Sequence, residues 1–390
     1  MPVLQPIIDR IARNETISRD EALAFASDPA LRADLFDTAA EATKRFASRI
    51  FNICGIVSIK TGACSCNCKW CAQSTHWTSS SIPIHPILPV SEVDAAAERA
   101  AAGGITRFSL VASGRKPSAR ETRMYAEHLK KLRSTNPKLE LCASLGLLNE
   151  KDLALLKEAG LVRVHCNLET SERFFPQVCS SHTWEDKVKT IRAAKAAGLE
   201  VCSGGLFGMG ETAEDRIDLA FALRELEVPS IPLNLLDPRP GTPLEHAPKL
   251  SEDHFLTTVA LYRLINPQAE LRFAGGRLQL SEYAVREAMR IGVNSAICGS
   301  LLTTDTMGPT AEAERFMAAG YEADEAMTEV LERSGGIDCE EDAVCAACAS
   351  RRFAQKTFQS LLGAARLFSF CGALTASEAP NASDNARPES

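Results

Sequence analysis

Residues Ile53–Gln73 read ICGIVSIKTGACSCNCKWCAQ, a β-rich run, Ile53–Ile59, that leads at once into three thiols, Cys64, Cys68 and Cys71, spaced C-x3-C-x2-C. That run is the first of eight. The others lie near Thr106–Ala112, Leu139–Ser144, Leu161–Leu168, Glu200–Gly204, Ser230–Leu235, Glu270–Phe273 and Ser295–Cys298, alternating with amphipathic helical stretches. Short strands separated by helices imply parallel pairing through crossover connections. Ser91 with Asp94, Thr183 with Asp186 and Thr212 with Asp215 resemble capping boxes, and Gly103, Gly160 and Gly198 stand where helices should stop. Eight such cycles predict a TIM-type (β/α)8 barrel in the α/β class. Its chemistry belongs at the C-terminal ends of the strands, where the thiol loop after the first strand falls.

Around that barrel, residues 1–50 read as packed helices, with a helix start in Asn14–Glu21 (NETISRDE). The expected organisation is a helical segment 1–50, a barrel 51–310, a cysteine-bearing C-terminal extension 311–375 and a disordered tail 376–390, rich in Ser, Ala, Pro and Asn. The chain has 390 residues, of which 45% are hydrophobic, enough to fill a large core. Its net charge of -7, with no basic run to track a phosphate backbone, argues against nucleic acid as a partner. No apolar run reaches membrane length and no secretory leader opens the chain, so the sequence reads as cytoplasmic. Fourteen cysteines in such a chain point to metal or redox chemistry rather than a disulfide framework. Cys179 and Cys298 are expected to be small buried hydrophobes instead.

Three thiolates on one short loop suit a soft metal centre. A cubane held by three cysteines keeps one iron open, which the amino and carboxylate groups of S-adenosylmethionine (SAM) can chelate. A structural zinc loop would need a fourth ligand at matching spacing, although Cys66 inside the loop complicates that count. The triplet, its place after the first strand and the predicted barrel together point to a radical SAM enzyme carrying a [4Fe-4S] cluster.

The extended loop Ser58–Gln73 (SIKTGACSCNCKWCAQ) resembles the cluster loop of biotin synthases. VCSGGLFGMGET at Val201–Thr212, IPLNLLDPRPGTPLE at Ile231–Glu245, LRFAGGR at Leu271–Arg277 and LLTT at Leu301–Thr304 resemble further segments of that family in the same order. The resemblance implies a sulfurtransferase that completes biotin biosynthesis. A 5′-deoxyadenosyl radical abstracts hydrogen from dethiobiotin, and an auxiliary iron–sulfur cluster supplies the sulfur. It also implies an electron donor such as flavodoxin or ferredoxin, and a homodimer. Carried over by position, Cys142, Cys202 and Arg272 match ligands of the auxiliary cluster. The remaining ligand position is Ser109, in RFSLVAS, which leaves a four-ligand [2Fe-2S] cluster in doubt. HCNLET at His165–Thr170 carries Cys166 where the common pattern has histidine, so Cys166 is expected to join Cys142 and Cys202 around a relocated cluster of [4Fe-4S] type. Against this, adjacent strand residues face opposite ways, so Cys166 and Asn167 cannot both point inward from a regular strand.

The same resemblance assigns Asn167, Asn234, Thr303 and Thr304 to dethiobiotin, and Trp70, Glu169, Lys187 and Leu206 to SAM. Taken alone, the Asn and Thr side chains fit turn or cap duty, and Lys187 a helix surface. Outside the resemblance, Cys339, Cys345, Cys348 and Cys371 form a second cysteine group open to three readings: structural zinc, another iron–sulfur cluster, or unligated thiols. Two competing functions stand beside the main one. One is a sibling radical SAM enzyme, a hydrogenase maturase or carbon-skeleton mutase with an altered auxiliary cluster. The other is a non-catalytic metal-binding scaffold.

Overall fold

The structure, a computed structural model, describes residues 4–77, 82–298 and 308–335. Among the described residues nine strands, all parallel, form one sheet: β1 (Asn52–Lys60), β2 (Arg107–Ala112), β3 (Glu140–Ser144), β4 (Leu161–His165), β5 (Glu200–Cys202), β6 (Gly205–Phe207), β7 (Ser230–Leu235), β8 (Glu270–Phe273) and β9 (Val293–Cys298). Their order, β5-β4-β3-β2-β1-β9-β8-β7-β6, closes through Cys202 of β5 against Ser230 of β7. The result is a TIM-type (β/α)8 barrel.

The strand expected over Glu200–Gly204 stops at Cys202, and a second short piece, β6, starts at Gly205, the two occupying the width of one stave of the barrel. Cys202 pairs with Ser230 and Gly205 with Leu233, so the register is the same on both sides of the break. Pro232 faces the gap and has no N–H to donate to a ladder. The Cβ of any other residue at Gly204 would lie 2.0 Å from the Pro232 carbonyl oxygen. β4 also stops earlier than expected, at His165.

Local signals place most of the helices. Thr183 with Asp186, Thr212 with Asp215 and Ser18 with Glu21 form reciprocal capping boxes. The box expected at Ser91 and Asp94 does not form. That helix begins at Val90 behind Pro89 with no side-chain cap, and Asp94 instead accepts a 2.5 Å hydrogen bond from Thr135 Oγ1. Gly160 (φ +109°) and Gly198 (φ +69°) end their helices in the left-handed region that glycine reaches without strain. The N-terminal helices lie on the barrel's outer layer: Arg19 pairs with Asp218 at 2.7 Å, and Thr16 Oγ1 donates to the Leu264 carbonyl at 3.0 Å.

At its N-terminal end the barrel is closed by charge rather than by hydrocarbon. Arg107 of β2 meets Glu140 at 2.6 Å, Arg163 of β4 meets Glu200 at 2.6 Å, and Glu270 of β8 takes Arg272 at 2.7 Å and Arg163 at 3.4 Å. These residues alternate with apolar residues of the opposite face, as period-2 strands require. They form the floor on which the site rests. No helix among the described residues is long and apolar enough to cross a membrane.

Candidate active site

Immediately after β1 the chain turns through two left-handed residues, Gly62 (φ +69°) and Ala63 (φ +48°), and delivers Cys64 to the barrel mouth. The loop is fixed by its own backbone. Cys64 N donates to the Gln73 carbonyl at 3.0 Å, Thr75 N to the Cys64 carbonyl at 2.8 Å, and Trp77 Nε1 to the Cys68 carbonyl at 2.9 Å. Ser113, just past β2, anchors it to the barrel by donating to the Gly62 carbonyl at 2.6 Å. Cys64, Cys68 and Cys71 line one cavity of about 200 Å³ with Cys66, Lys187 and Glu169. The Cys71 thiol is raised chiefly by burial, and that of Cys64 chiefly by its hydrogen bond with Cys66. Such a loop gives up protons as it takes a metal centre. Three soft donors on a closed loop fit a [4Fe-4S] cluster.

A second cavity, of about 300 Å³, fills the upper barrel, and Trp70, Cys71, Gln73 and Glu169 belong to the walls of both. Of the residues expected to serve an auxiliary cluster, Cys142, Cys202, Ser109 and Arg272 all line this second cavity. Cys166 does not join them. β4 ends at His165. His165 and Asn167 line both cavities, whereas Cys166 lines the loop cavity alone and packs into the aliphatic core.

The thiol that does join them is Cys54, on β1, which sequence reasoning passed over. Arg272 Nη1 donates to Cys54 Sγ at 2.9 Å. Ser230 Oγ lies 3.4 Å from both Cys202 Sγ and Arg272 Nε, tying two more members together. Burial raises both Cys54 and Cys142, Cys142 to about 12, and the Arg272 charge pulls Cys54 the other way. Cys54 lies opposite Arg107 on β2, and Ile56 lies opposite Ser109, so Cys54 is one inward layer nearer the charged floor than Ser109. Counting parity along β1 would have found it: Cys54 shares the inward face with Ile56. The donors fit a soft iron–sulfur centre. Arg272 is buried and paired, donating also to Glu270, Asn52 and the Ala296 carbonyl.

Asn167 and Asn234 both reach the barrel mouth, and both brace backbone there. Asn167 Oδ1 accepts from Gly204 N at 2.9 Å, and Asn234 bridges Gly205 O and Gly275 N at 2.9 Å each. Thr303 and Thr304, like Cys339, Cys345, Cys348 and Cys371, lie outside the described residues. Lys187 is not a surface lysine. It points inward, its Nζ donating to the Asn167 carbonyl at 2.7 Å beneath the Phe175 ring. Trp70 and Leu206 pack in a small apolar cluster with Phe174, Val178, Met209 and Leu236 beside the loop. Glu169 holds φ +73° and is bonded through its backbone to Gly204 and Leu206, a strained residue at the junction of the two cavities.

Two residues expected to be inert behave differently from each other. Cys298 is core, as expected, with burial raising its thiol to about 12. Cys179 is not inert: its Sγ lies 3.6 Å from that of Cys68 and 3.4 Å from His182 Nδ1.

A barrel of this kind, with a three-thiol loop after its first strand and an apolar cluster packed beside it, defines a radical SAM enzyme. The Radical SAM superfamily matches residues 58–223, and the Biotin and Thiamin Synthesis associated domain matches residues 232–322. A biotin synthase of Porphyromonas gingivalis is 48% identical over 305 residues, covering 77% of this chain and 91% of that protein. One of Campylobacter hominis is 41% identical over 317 residues, covering 81% and 96%. The chain belongs to the biotin synthase family. Among solved structures, a methylornithine synthase superposes with a TM-score of 0.71 at 16% identity, covering 83% of this chain and all of that one. The FeFe-hydrogenase maturase of Carboxydothermus hydrogenoformans superposes with a TM-score of 0.70 at 17% identity, covering 84% and 81%. Those two likenesses concern the fold alone. The sequence identity lies with biotin synthases, not with the maturase or mutase alternatives.

Proposed function

We propose that this biotin synthase inserts sulfur into dethiobiotin inside the barrel cavity, with its auxiliary cluster held by Cys54, Cys142 and Cys202 beside Arg272. The observation that carries the reading is the 2.9 Å contact of Arg272 with Cys54, in a cavity that also holds both other thiols. In this arrangement Cys54 takes over the duty that Ser109 cannot perform, because an alkoxide is a poor match for a soft iron–sulfur centre.

When bound, the [4Fe-4S] cluster with SAM supplies a carbon-centred radical, and the auxiliary cluster supplies sulfide. Cys64, Cys68 and Cys71 hold the first cluster at the barrel mouth. Trp70 and Leu206 give the adenosyl moiety an apolar seat. Glu169, at the wall shared by the two cavities, accepts hydrogen bonds from its ribose, and Lys187 pairs with the methionyl carboxylate. Asn167 and Asn234, fixed by their backbone bonds, present neutral amide edges to a neutral cyclic urea. The closed ionic floor keeps water from entering from below, which protects a reactive radical from side reactions. The electron donor is of the flavodoxin or ferredoxin type, the enzyme works in the cytoplasm, and it assembles as a homodimer.

Anaerobic reconstitution followed by iron and sulfide counting, Mössbauer spectroscopy and product analysis tests the ligand set. C54S should lose the auxiliary signal and biotin formation while still carrying the loop cluster and releasing deoxyadenosine. C166S should keep both signals. An unchanged auxiliary signal in C54S refutes the assignment. Deoxyadenosine without biotin from the unaltered chain counts against the reaction itself.

A further inference from the structure

Beside the cluster loop, and outside the function just described, a second set of soft ligands converges. Cys68, Cys179 and His182 bring their ligand atoms within 4.8 Å of one another; Cys179 and His182 are buried and Cys68 is half-buried. The Cys66 thiol adjoins this group, next to Cys68, His182 and Ser181, without lying within 4.8 Å of every member. Two cysteines come from the loop and the other two residues from the turn following the short helix Phe175–Val178.

We infer that Cys66, Cys68, Cys179 and His182 form a mononuclear site for a soft divalent ion of the zinc class, occupied when the loop carries no cubane. The separations of Cys179 from Cys68 and from His182 already suit it, and Cys66 completes the set by a small shift of the loop. A tetrahedral zinc ion with Zn–S of about 2.3 Å sets sulfurs about 3.8 Å apart, and with Zn–N of about 2.0 Å sets sulfur and nitrogen about 3.5 Å apart. Cys68 Sγ and Cys179 Sγ are 3.6 Å apart, and Cys179 Sγ and His182 Nδ1 are 3.4 Å apart. Three thiolates and one imidazole are a recurring structural zinc donor set.

The surroundings hold this geometry in place. Asn67 Oδ1 accepts from Ser180 N at 3.0 Å and Ser181 N at 2.9 Å, while Asn67 Nδ2 donates to Ser180 Oγ at 2.7 Å. Lys69 N adds a bond to the Val178 carbonyl at 2.9 Å. The turn is thereby fastened to the loop by backbone on both sides. The Phe175 ring meets the His182 ring edge-on at 5.5 Å and sets its orientation. Such outer contacts orient ligands in metal sites generally.

Cys68 serves both centres, and that gives the site its consequence. An ion bound here removes one of the three thiolates the cubane needs, so the two occupancies exclude each other. Binding is simple coordination: the ion enters as its aquo complex, thiol protons leave to solvent, and no electron is transferred. The inference depends on the assignment of Cys68 to the cluster loop only for this competition, and is independent of the Cys54 assignment.

The test uses the full-length, cluster-free chain under anaerobic, reducing conditions, with Cys339, Cys345, Cys348 and Cys371 replaced by Ser so that they bind nothing. Co²⁺ is the probe. One equivalent should give intense tetrahedral d–d bands and thiolate charge-transfer bands, both abolished by adding Zn²⁺. C179S and H182N should each weaken Co²⁺ binding by at least tenfold, whereas C64S and C71S should not. C179S, reconstituted with iron and sulfide, should still take up the loop cluster and cleave SAM, which shows that it folds. Zn²⁺ added first should block that reconstitution in the parent chain and far less in C179S. Parent-like Co²⁺ binding in both C179S and H182N overturns the inference. So does equal loss in C64S and C71S, which would place the ion among the cubane thiols instead.

Discussion

Replacing Glu270 by Gln probes the ionic floor on which the auxiliary site stands. The Glu270 carboxylate lies 2.7 Å from Arg272 and 3.4 Å from Arg163, and those two guanidiniums are nearly fully buried. At an effective dielectric near 20, the two contacts carry about 6 and about 5 kcal/mol of Coulomb attraction, most of it offset by desolvation. Breaking one partner of a buried pair typically costs about 3–5 kcal/mol, because the opposite charges stay buried. Gln keeps an acceptor oxygen and the Glu270 side chain is about a quarter exposed, so the lower end, about 3 kcal/mol, applies. At roughly 2–4 °C per kcal/mol, the melting temperature should fall by about 6–12 °C. Anaerobic thermal unfolding of the cluster-free chain, followed by far-UV circular dichroism at neutral pH, reads this directly. The pH dependence adds a second check. Burial opposes ionisation of Glu270, but Arg272, Arg163 and Arg107 outweigh it and hold its carboxyl below the usual range. Its contribution is therefore complete above the unfolded-state carboxyl range and is lost as pH falls through the folded value, so the gap between the E270Q and native chains should narrow in acid. A change in melting temperature under about 2 °C at neutral pH, or a gap that widens in acid, would show that the floor is not an energetic unit.

His165, which faces the barrel cavity, is lowered to about 4 by burial, so it stays neutral across the physiological range. The unfolded chain binds that proton more readily, so native stability should decline as pH drops from about 6.5 towards 4, by at most about 3 kcal/mol, and H165N should remove that decline; denaturant titrations of both chains over that range that run parallel would contradict it. Gly276 has φ +78° and its Cβ would meet the Leu235 carbonyl oxygen at 2.1 Å. G276A should cost about 1–3 kcal/mol from backbone strain alone and should weaken dethiobiotin binding by displacing Gly275 from Asn234. Calorimetry showing unchanged dethiobiotin affinity would exclude that coupling.

How much of this was legible beforehand depended on the range of the physics involved. The alternation of short strands with helices, the boxes at Thr183 and Thr212, and the glycine stops at Gly160 and Gly198 are local properties of consecutive residues, and they specified the barrel. The triplet Cys64, Cys68 and Cys71 was equally local: three thiols on one short loop after the first strand, which the structure places along one cavity. Pairing between distant segments was not. Cys54 is 218 residues from Arg272, and only the closure of β1, β9 and β8 into adjacent staves brings guanidinium to thiol. Cys166 showed the converse: β4 ends one residue before it, and the chain there leaves it in the loop cavity rather than the barrel cavity, however well its neighbours match. Cys179 and His182 look like an ordinary turn in sequence, until the fastening of that turn to Asn67 sets them against Cys68. Sequence determined which chemistry the chain can host, because that chemistry resides in local ligand spacing. Tertiary structure decided which thiols line each cavity, because barrel closure alone fixes distances across strands.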